Sequence, residues 1–184
     1  NHSLMRQFGP ENWTLYKGKH LLSFVDNHDV TRIASNLSNE KHLPLIYALM
    51  FGMPGIPCVY YGSEWGAKAH KNEGDPALRA CFEEPQENDL TAWIAKLAEA
   101  KKGSDALNYG AFRSVVLTNR QCIFERRTDK ERVLVAINAE DVPYTAHFDA
   151  GCGRAEDLIS GAMHDFGGGS QLPPYSAFFW KCEV

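Results

Sequence analysis

Four consecutive residues, Asp26-Asn27-His28-Asp29, bring two carboxylates, an amide and an imidazole to one point of the chain. Carboxylates accept hydrogen bonds and can hold a proton, and a neutral imidazole donates at one ring nitrogen and accepts at the other. Such a set can grip hydroxyl groups and take part in acid–base chemistry. The stretch in front of it, Leu21-Leu22-Ser23-Phe24-Val25, is almost continuously apolar. That composition predicts a buried strand of the parallel kind, covered on both faces. A polar cluster at the C-terminal end of such a strand is where α/β barrels carry their chemistry. Val30-Thr31-Arg32 then leads out into a polar loop over residues 26–39.

The elements that must position this cluster follow from the pattern downstream. Leu43, Ile46, Tyr47 and Met50 recur at helical spacing and predict a helix over Leu43–Phe51, with Pro44 in its first turn and Gly52 and Pro54 ending it. Ile56–Tyr61 reads as a second short buried strand, closed by Gly62. Strand, helix and strand in this rhythm form a βαβ unit with adjacent parallel strands. Upstream, Ser3–Phe8 reads as the end of a helix stopped by Gly9-Pro10, and Asn12–His20 as a connection packed down by Trp13, Leu15 and Tyr16. Residues 65–88 are loop-rich. Asn88 or Asp89 caps a further helix with the stripe Leu90, Trp93, Ile94, Leu97 and Ala98, which ends at Lys101-Lys102-Gly103. After Asp105 the period changes. Ala111–Leu117, Gln121–Arg127, Arg132–Asn138, Tyr144–Phe148, Ala155–Ile159 and Ala177–Cys182 read as strands, with turns at Asn119-Arg120, Asp129-Lys130 and Glu140-Asp141. Short strands at this spacing predict an antiparallel sandwich. Tyr109, Tyr144, Phe178, Phe179 and Trp180 are expected in its core. The fold class is therefore α/β plus all-β.

Phe24-Val25-Asp26-Asn27-His28-Asp29, with Arg32 following, resembles the fourth signature region of the α-amylase superfamily of glycoside hydrolases, which lies at the end of barrel strand seven. Gly52-Met53-Pro54-Gly55-Ile56-Pro57-Cys58-Val59-Tyr60-Tyr61-Gly62-Ser63-Glu64-Trp65-Gly66 is similar to that family's last signature, around strand eight. Asp75-Pro76-Ala77-Leu78-Arg79 is similar to a segment found after strand eight in relatives that act on short maltodextrins. The resemblance implies a partial (β/α)8 TIM barrel, its last two strand–helix units, over residues 1–104, and a C-terminal antiparallel β-sandwich domain over residues 105–184. A whole barrel needs about 250 residues, so the chain is expected to be the C-terminal part of a longer enzyme.

For the site, the resemblance implies a catalytic role for Asp29: holding two adjacent sugar hydroxyls as the transition state forms, without being nucleophile or acid. It implies substrate binding by His28. Asn27 could reach the substrate or the loop, and Arg32 could bind substrate or clamp the loop. Trp65 could stack on a sugar or pack, since an indole face suits the apolar side of a pyranose. Asp26 is expected to be structural and Glu64 to support the strand–loop junction, where Ser63 replaces an acidic residue of most relatives. The family's nucleophile and acid come from barrel strands four and five, and no residue here matches either motif. The expected function is thus part of a retaining hydrolase of α-1,4-glucosidic bonds in starch-derived oligosaccharides, inactive by itself. The alternatives are a transglycosylase piece and a non-catalytic sugar-binding module. No cofactor or metal is implied. The chain alone is expected to self-associate or to need the missing N-terminal part.

Composition narrows the classes. The 184 residues carry 19 basic and 23 acidic side chains, which argues against nucleic-acid or anionic-membrane partners. No apolar run approaches the ~18 residues of a membrane span, and no signal peptide is visible. The start at Asn1-His2-Ser3, without Met, implies residues upstream. Cys58, Cys81, Cys122, Cys152 and Cys182 form no CxxC pair. Their odd number favours free thiols and a reducing, cytoplasmic location, with one disulfide as the alternative.

Overall fold

Leu21 and Ser23 offer their carbonyls to the chain at Gly55–Cys58: Ile56 N donates to Leu21 O at 2.8 Å and Cys58 N to Ser23 O at 2.7 Å. The resulting parallel pair is short, β1 (Leu22–Ser23) against β2 (Ile56–Pro57). The computed structural model describes residues 2–10 and 14–183. The expected packing of Trp13 lies outside them. Gly55 makes the close approach possible, because a Cβ there would stand 2.6 Å from Leu21 O. Pro57 has no N–H to offer a strand on the far side.

The elements run α1 (His2–Phe8), β1, α2 (Ile33–Asn36), α3 (Leu43–Gly52), β2, α4 (Asp75–Leu78), α5 (Asp89–Lys102), α6 (Asp105–Tyr109), then β3 (Ala111–Leu117), β4 (Gln121–Arg127), β5 (Arg132–Asn138), β6 (Tyr144–Ala146), β7 (Arg154–Asp157), β8 (Met163–Asp165), β9 (Ser170–Leu172) and β10 (Ser176–Cys182). Both long helices form where apolar spacing and caps predict them. In α5 the Asn88 side chain accepts from Leu90 N and Thr91 N, and Gly103 ends the helix. In α3 Pro44 sits in the first turn, where a missing N–H costs nothing.

A six-stranded antiparallel sheet in the order β3-β4-β5-β10-β7-β8 forms the second half of the chain, with the pair β6-β9 beside it. Both faces of the sheet are covered. One takes α3, α5 and α6 through Leu45, Phe51, Leu97 and Leu107, which meet Phe124, Val135 and Phe179. The other takes Ala146 and Leu172 of the β6-β9 pair against Ile123, Leu134 and Trp180. Every residue of β5 is accordingly buried. Gly52 lets the end of α3 rest on the sheet, since a Cβ there would meet Val135 at 2.8 Å.

That helix end is held by two buried basic side chains. Lys101 Nζ donates to the carbonyls of Phe51 (3.0 Å), Met53 (3.2 Å) and Leu107 (3.0 Å). Arg126 donates to Gly52 O at 2.8 Å and to Gly110 O. The last carbonyls of a helix lack intrahelical donors, and a buried carbonyl stripped of its donor costs about 1–3 kcal/mol. Lys101→Met keeps the buried stem and removes the donors. It is expected to lower the unfolding free energy by about 2–4 kcal/mol, which a urea titration of the two proteins checks.

The differences from the sequence reading have local causes. The apolar runs around β1 and β2 are not buried: Leu22 is 61% and Ile56 55% exposed, because each strand is paired on one side only and nothing among the described residues lies over these side chains. The loop over 26–39 contains the turn of helix α2, and α6, β8 and β9 are additions. Tyr109 is 70% exposed rather than core, standing edge-on to His20 at 5.8 Å. Leu15 is likewise exposed. Phe179 and Trp180 are buried as expected, while Tyr144 and Phe178 are half-buried.

Candidate active site

Asp26 is the first polar residue after β1 and is 1% exposed. Its carboxylate accepts from Ser63 Oγ at 3.0 and 2.9 Å and from Ile33 N at 2.8 Å, so it also caps α2. Ser63 Oγ accepts from Arg32 Nη1 at 2.9 Å. Nη1 also donates to Tyr61 O (2.7 Å) and Nη2 to Leu78 O (3.2 Å), and the guanidinium carbon lies 4.6 Å from the Tyr60 ring centroid. Arg32 is 1% exposed. Of the two roles open to Arg32, the described contacts are the loop ones: it ties the exit of β1 to the exit of β2 and to α4. Ser63 bridges Arg32 to Asp26 without placing a second carboxylate against the first.

This clamp presents the rest of the cluster outward. Asn27 Oδ1 accepts from Asp29 N at 2.8 Å, the turn an Asn side chain makes with the backbone two residues on. Of the two roles open to Asn27, the described contact is the loop one. His28 and Asp29 stand in solvent, their side chains 44% and 61% exposed. His28 Nε2 lies 3.2 Å from Asp29 Oδ2, and Arg79 Nη2 lies 3.6 Å from Asp29 Oδ1. Arg79 Nε is in turn 3.6 Å from Asp75 Oδ2. Exposed pairs of this kind add little stability. What they do is aim both carboxylate oxygens of Asp29.

Arg79, Tyr60 and Tyr61 were not singled out as site residues from the sequence. Tyr60 donates to Leu78 O (3.3 Å) and Tyr61 to Ala80 O (2.9 Å), which folds the segment after α4 back toward Asp29. The motif Asp75–Arg79 was a visible signal for Arg79, although its reach to Asp29 was not. Trp65 stands at the far end of an aromatic row. His28 lies 6.2 Å from Tyr60, Tyr60 4.7 Å from Tyr61, Tyr61 5.8 Å from Phe82, and Phe82 5.2 Å from Trp65, edge to face. The described contacts of Trp65 are packing contacts. Glu64 Oε2 is enclosed without a hydrogen-bond partner. Burial, with Asp26 and Glu64 nearby, raises the Tyr47 phenol far above its ordinary range, so Tyr47 stays a neutral donor to Ser63 O at 3.1 Å. Among the described residues, no three His, Cys, Asp or Glu side chains gather as metal ligands.

The clamp makes a direct prediction. Arg32→Met strips the donors from three acceptors, Tyr61 O, Ser63 Oγ and Leu78 O, in a largely buried network. It is expected to cost about 3–5 kcal/mol of unfolding free energy through the acceptors left unsatisfied, read from denaturant midpoints, with Arg32→Lys falling between the two.

A family model described as the alpha amylase catalytic domain matches residues 10–119. The chain belongs to the α-amylase family. The matched interval holds β1, the Asp26–Asp29 cluster, α3, β2, α4 and α5. A cyclomaltodextrin glucanotransferase of Niallia circulans is 31% identical over 119 residues, covering 64% of this chain and 16% of that protein. An α-amylase of Niallia circulans is 33% identical over 119 residues, covering 64% and 22%. The chain thus spans about a fifth of the length of these curated relatives. The crystal structure of CldA, a cyclomaltodextrin glucanotransferase with a three-domain ABC distribution, superposes with a TM-score of 0.77 at 27% identity over 90% of this chain and 37% of that one. The α-amylase fold therefore extends beyond the matched interval into the antiparallel sheet.

Proposed function

We propose that this chain is the closing part of an α-amylase-type enzyme acting on α-1,4-glucosidic bonds of starch-derived oligosaccharides. Residues 1–104 supply the last two strand–helix units of its barrel and residues 105–184 its antiparallel β-sandwich domain. The observation that carries the reading is the Asp29 carboxylate, exposed at the end of β1, with His28 on one oxygen and Arg79 on the other. Asp29 accepts hydrogen bonds from adjacent sugar hydroxyls, and these strengthen as the oxocarbenium-like transition state forms. His28 donates to the same sugar. Arg79 positions Asp29, while Arg32, Asp26 and Ser63 hold the platform beneath. The nucleophile and the acid belong to the rest of the barrel.

Transglycosylation is the second reading, supported by the glucanotransferases among the relatives. The enzyme carrying this chain is to be given maltotriose with and without a labelled glucose acceptor. Shorter products alone indicate hydrolysis, and label in longer products indicates transfer. No turnover of maltotriose in either condition overturns the proposal.

The chain by itself is expected to associate through β1 and β2. Leu22, Phe24 and Ile56 are exposed together on a two-stranded edge, and such edges and patches seek partners. A chain begun near Asn108 would bare the sheet face that α3 and α5 cover, so point variants discriminate better. Light scattering of wild type and of Leu22→Lys with Ile56→Lys is expected to show an oligomer and a monomer respectively. A monomeric wild type at micromolar concentration contradicts it.

A further inference from the structure

We propose that Cys152 and Cys182 form an intrachain disulfide by exchange with a small-molecule disulfide of the glutathione class, tying the last strand to the turn before β7. The two cysteines line one hollow at the end of the sheet. Backbone pairing brings them there. Cys182 closes β10, opposite Ala155 of β7 on one side and Arg132 of β5 on the other, and Cys152 lies three residues before Ala155. Both side chains join the apolar cluster between the sheet and the β6-β9 pair.

The turn carrying Cys152 is fixed at both ends. Ala150 O accepts from the Arg132 guanidinium. Gly151 N donates to Asp149 Oδ1 at 2.8 Å, and Phe166 N donates to Gly153 O at 3.0 Å. Non-covalent bonds thus gather the two sulfurs before any oxidation, which lowers the entropy lost on closing the bridge. The other three cysteines sit elsewhere: Cys58 just after β2, Cys81 beyond α4 and Cys122 on β4.

The pair divides the work. Cys182 is 3% exposed, and burial with the contact to Cys152 pushes its thiol up to about 12. It is closed to outside reagents. Cys152 is half-buried and is the point of entry, with the Arg132 cation close to the pair. Its thiolate attacks one sulfur of glutathione disulfide. That S–S bond breaks, a mixed disulfide forms, and one glutathione leaves and takes a proton from water. Cys182 then attacks the Cys152 sulfur, its proton passing to the second glutathione as that thiolate is expelled. Two protein thiols are oxidised to one disulfide, and one glutathione disulfide is reduced to two thiols.

The purified full chain is to be equilibrated with glutathione disulfide under native conditions, alkylated, digested with trypsin and mapped by mass spectrometry. The expected product joins the peptide ending Cys152-Gly153-Arg154 to the C-terminal Cys182-Glu183-Val184. It should come with a rise of about 5–10 °C in the unfolding midpoint that a reductant reverses. The Cys81→Ser variant keeps both effects and Cys152→Ser loses both. Because the mapping is done on the wild-type chain, it does not depend on the variants folding. Recovery of Cys152 as a stable glutathione adduct with Cys182 alkylated, or of both as free thiols while Cys81 carries glutathione, overturns the proposal.

Discussion

Turnover of a chromogenic maltoside by the purified chain is expected to remain at the uncatalysed background. Retaining hydrolysis needs a nucleophile and an acid about 5–5.5 Å apart, flanking the scissile bond. The carboxylates near Asp29 do not supply that pair. Asp26 is enclosed, accepting from Ser63 and Ile33, and cannot reach a sugar without breaking the clamp. Asp75 is reached only through Arg79, which stands between it and Asp29. Asp29 and its neighbours can therefore bind and polarise, but they cannot complete a displacement. The measurement is a rate on chain purified to homogeneity, beside the same preparation carrying Asp29→Ala. Activity that persists in both would place the chemistry elsewhere in the molecule.

In the enzyme that carries this chain, Asp29→Asn is expected to lower kcat/KM by about 10²–10⁴. Hydrogen bonds to a charged acceptor contribute about 1.5–3 kcal/mol each, and a carboxylate shared by two hydroxyls makes two of them. Asparagine keeps the shape and one acceptor oxygen but loses the charge, so the loss falls on the transition state. Stability should hardly move. The side chain is largely in solvent, and its polar contacts with His28 and Arg79 are of the exposed kind that contributes little to folding.

Much of this arrangement was legible in the residues. The caps and apolar stripes of α3 and α5, and the strands β3, β4 and β5, depend on local patterns, and they formed at or within a residue of their expected bounds. The cluster Asp26–Asp29 stood out through the resemblance of its whole stretch to a family signature; a polar run after an apolar one is by itself as often a capped loop. What was hidden depends on distant partners. The lengths and exposure of β1 and β2 are set by how many strands lie beside them, which composition does not encode. The residue pattern left Arg32 two roles, substrate or loop; its contacts are made by Tyr61, Ser63 and Leu78, 29 to 46 residues away. The reach of Arg79 to Asp29 and the closing of Cys152 on Cys182 are of the same kind. Tyr109 was assigned to the core by residue type alone, and the end of α6 leaves it in solvent.

The central claim is that Asp29 acts on the substrate in the transition state and does not hold the fold. It is tested most directly by measuring kcat/KM and the thermal midpoint together for wild type and Asp29→Asn in the enzyme carrying this chain. The account predicts a fall of at least about 10²-fold in kcat/KM, with the midpoint shifted by no more than about 2 °C. A kcat within about threefold of wild type, or a lost activity matched by a lost midpoint, would contradict it.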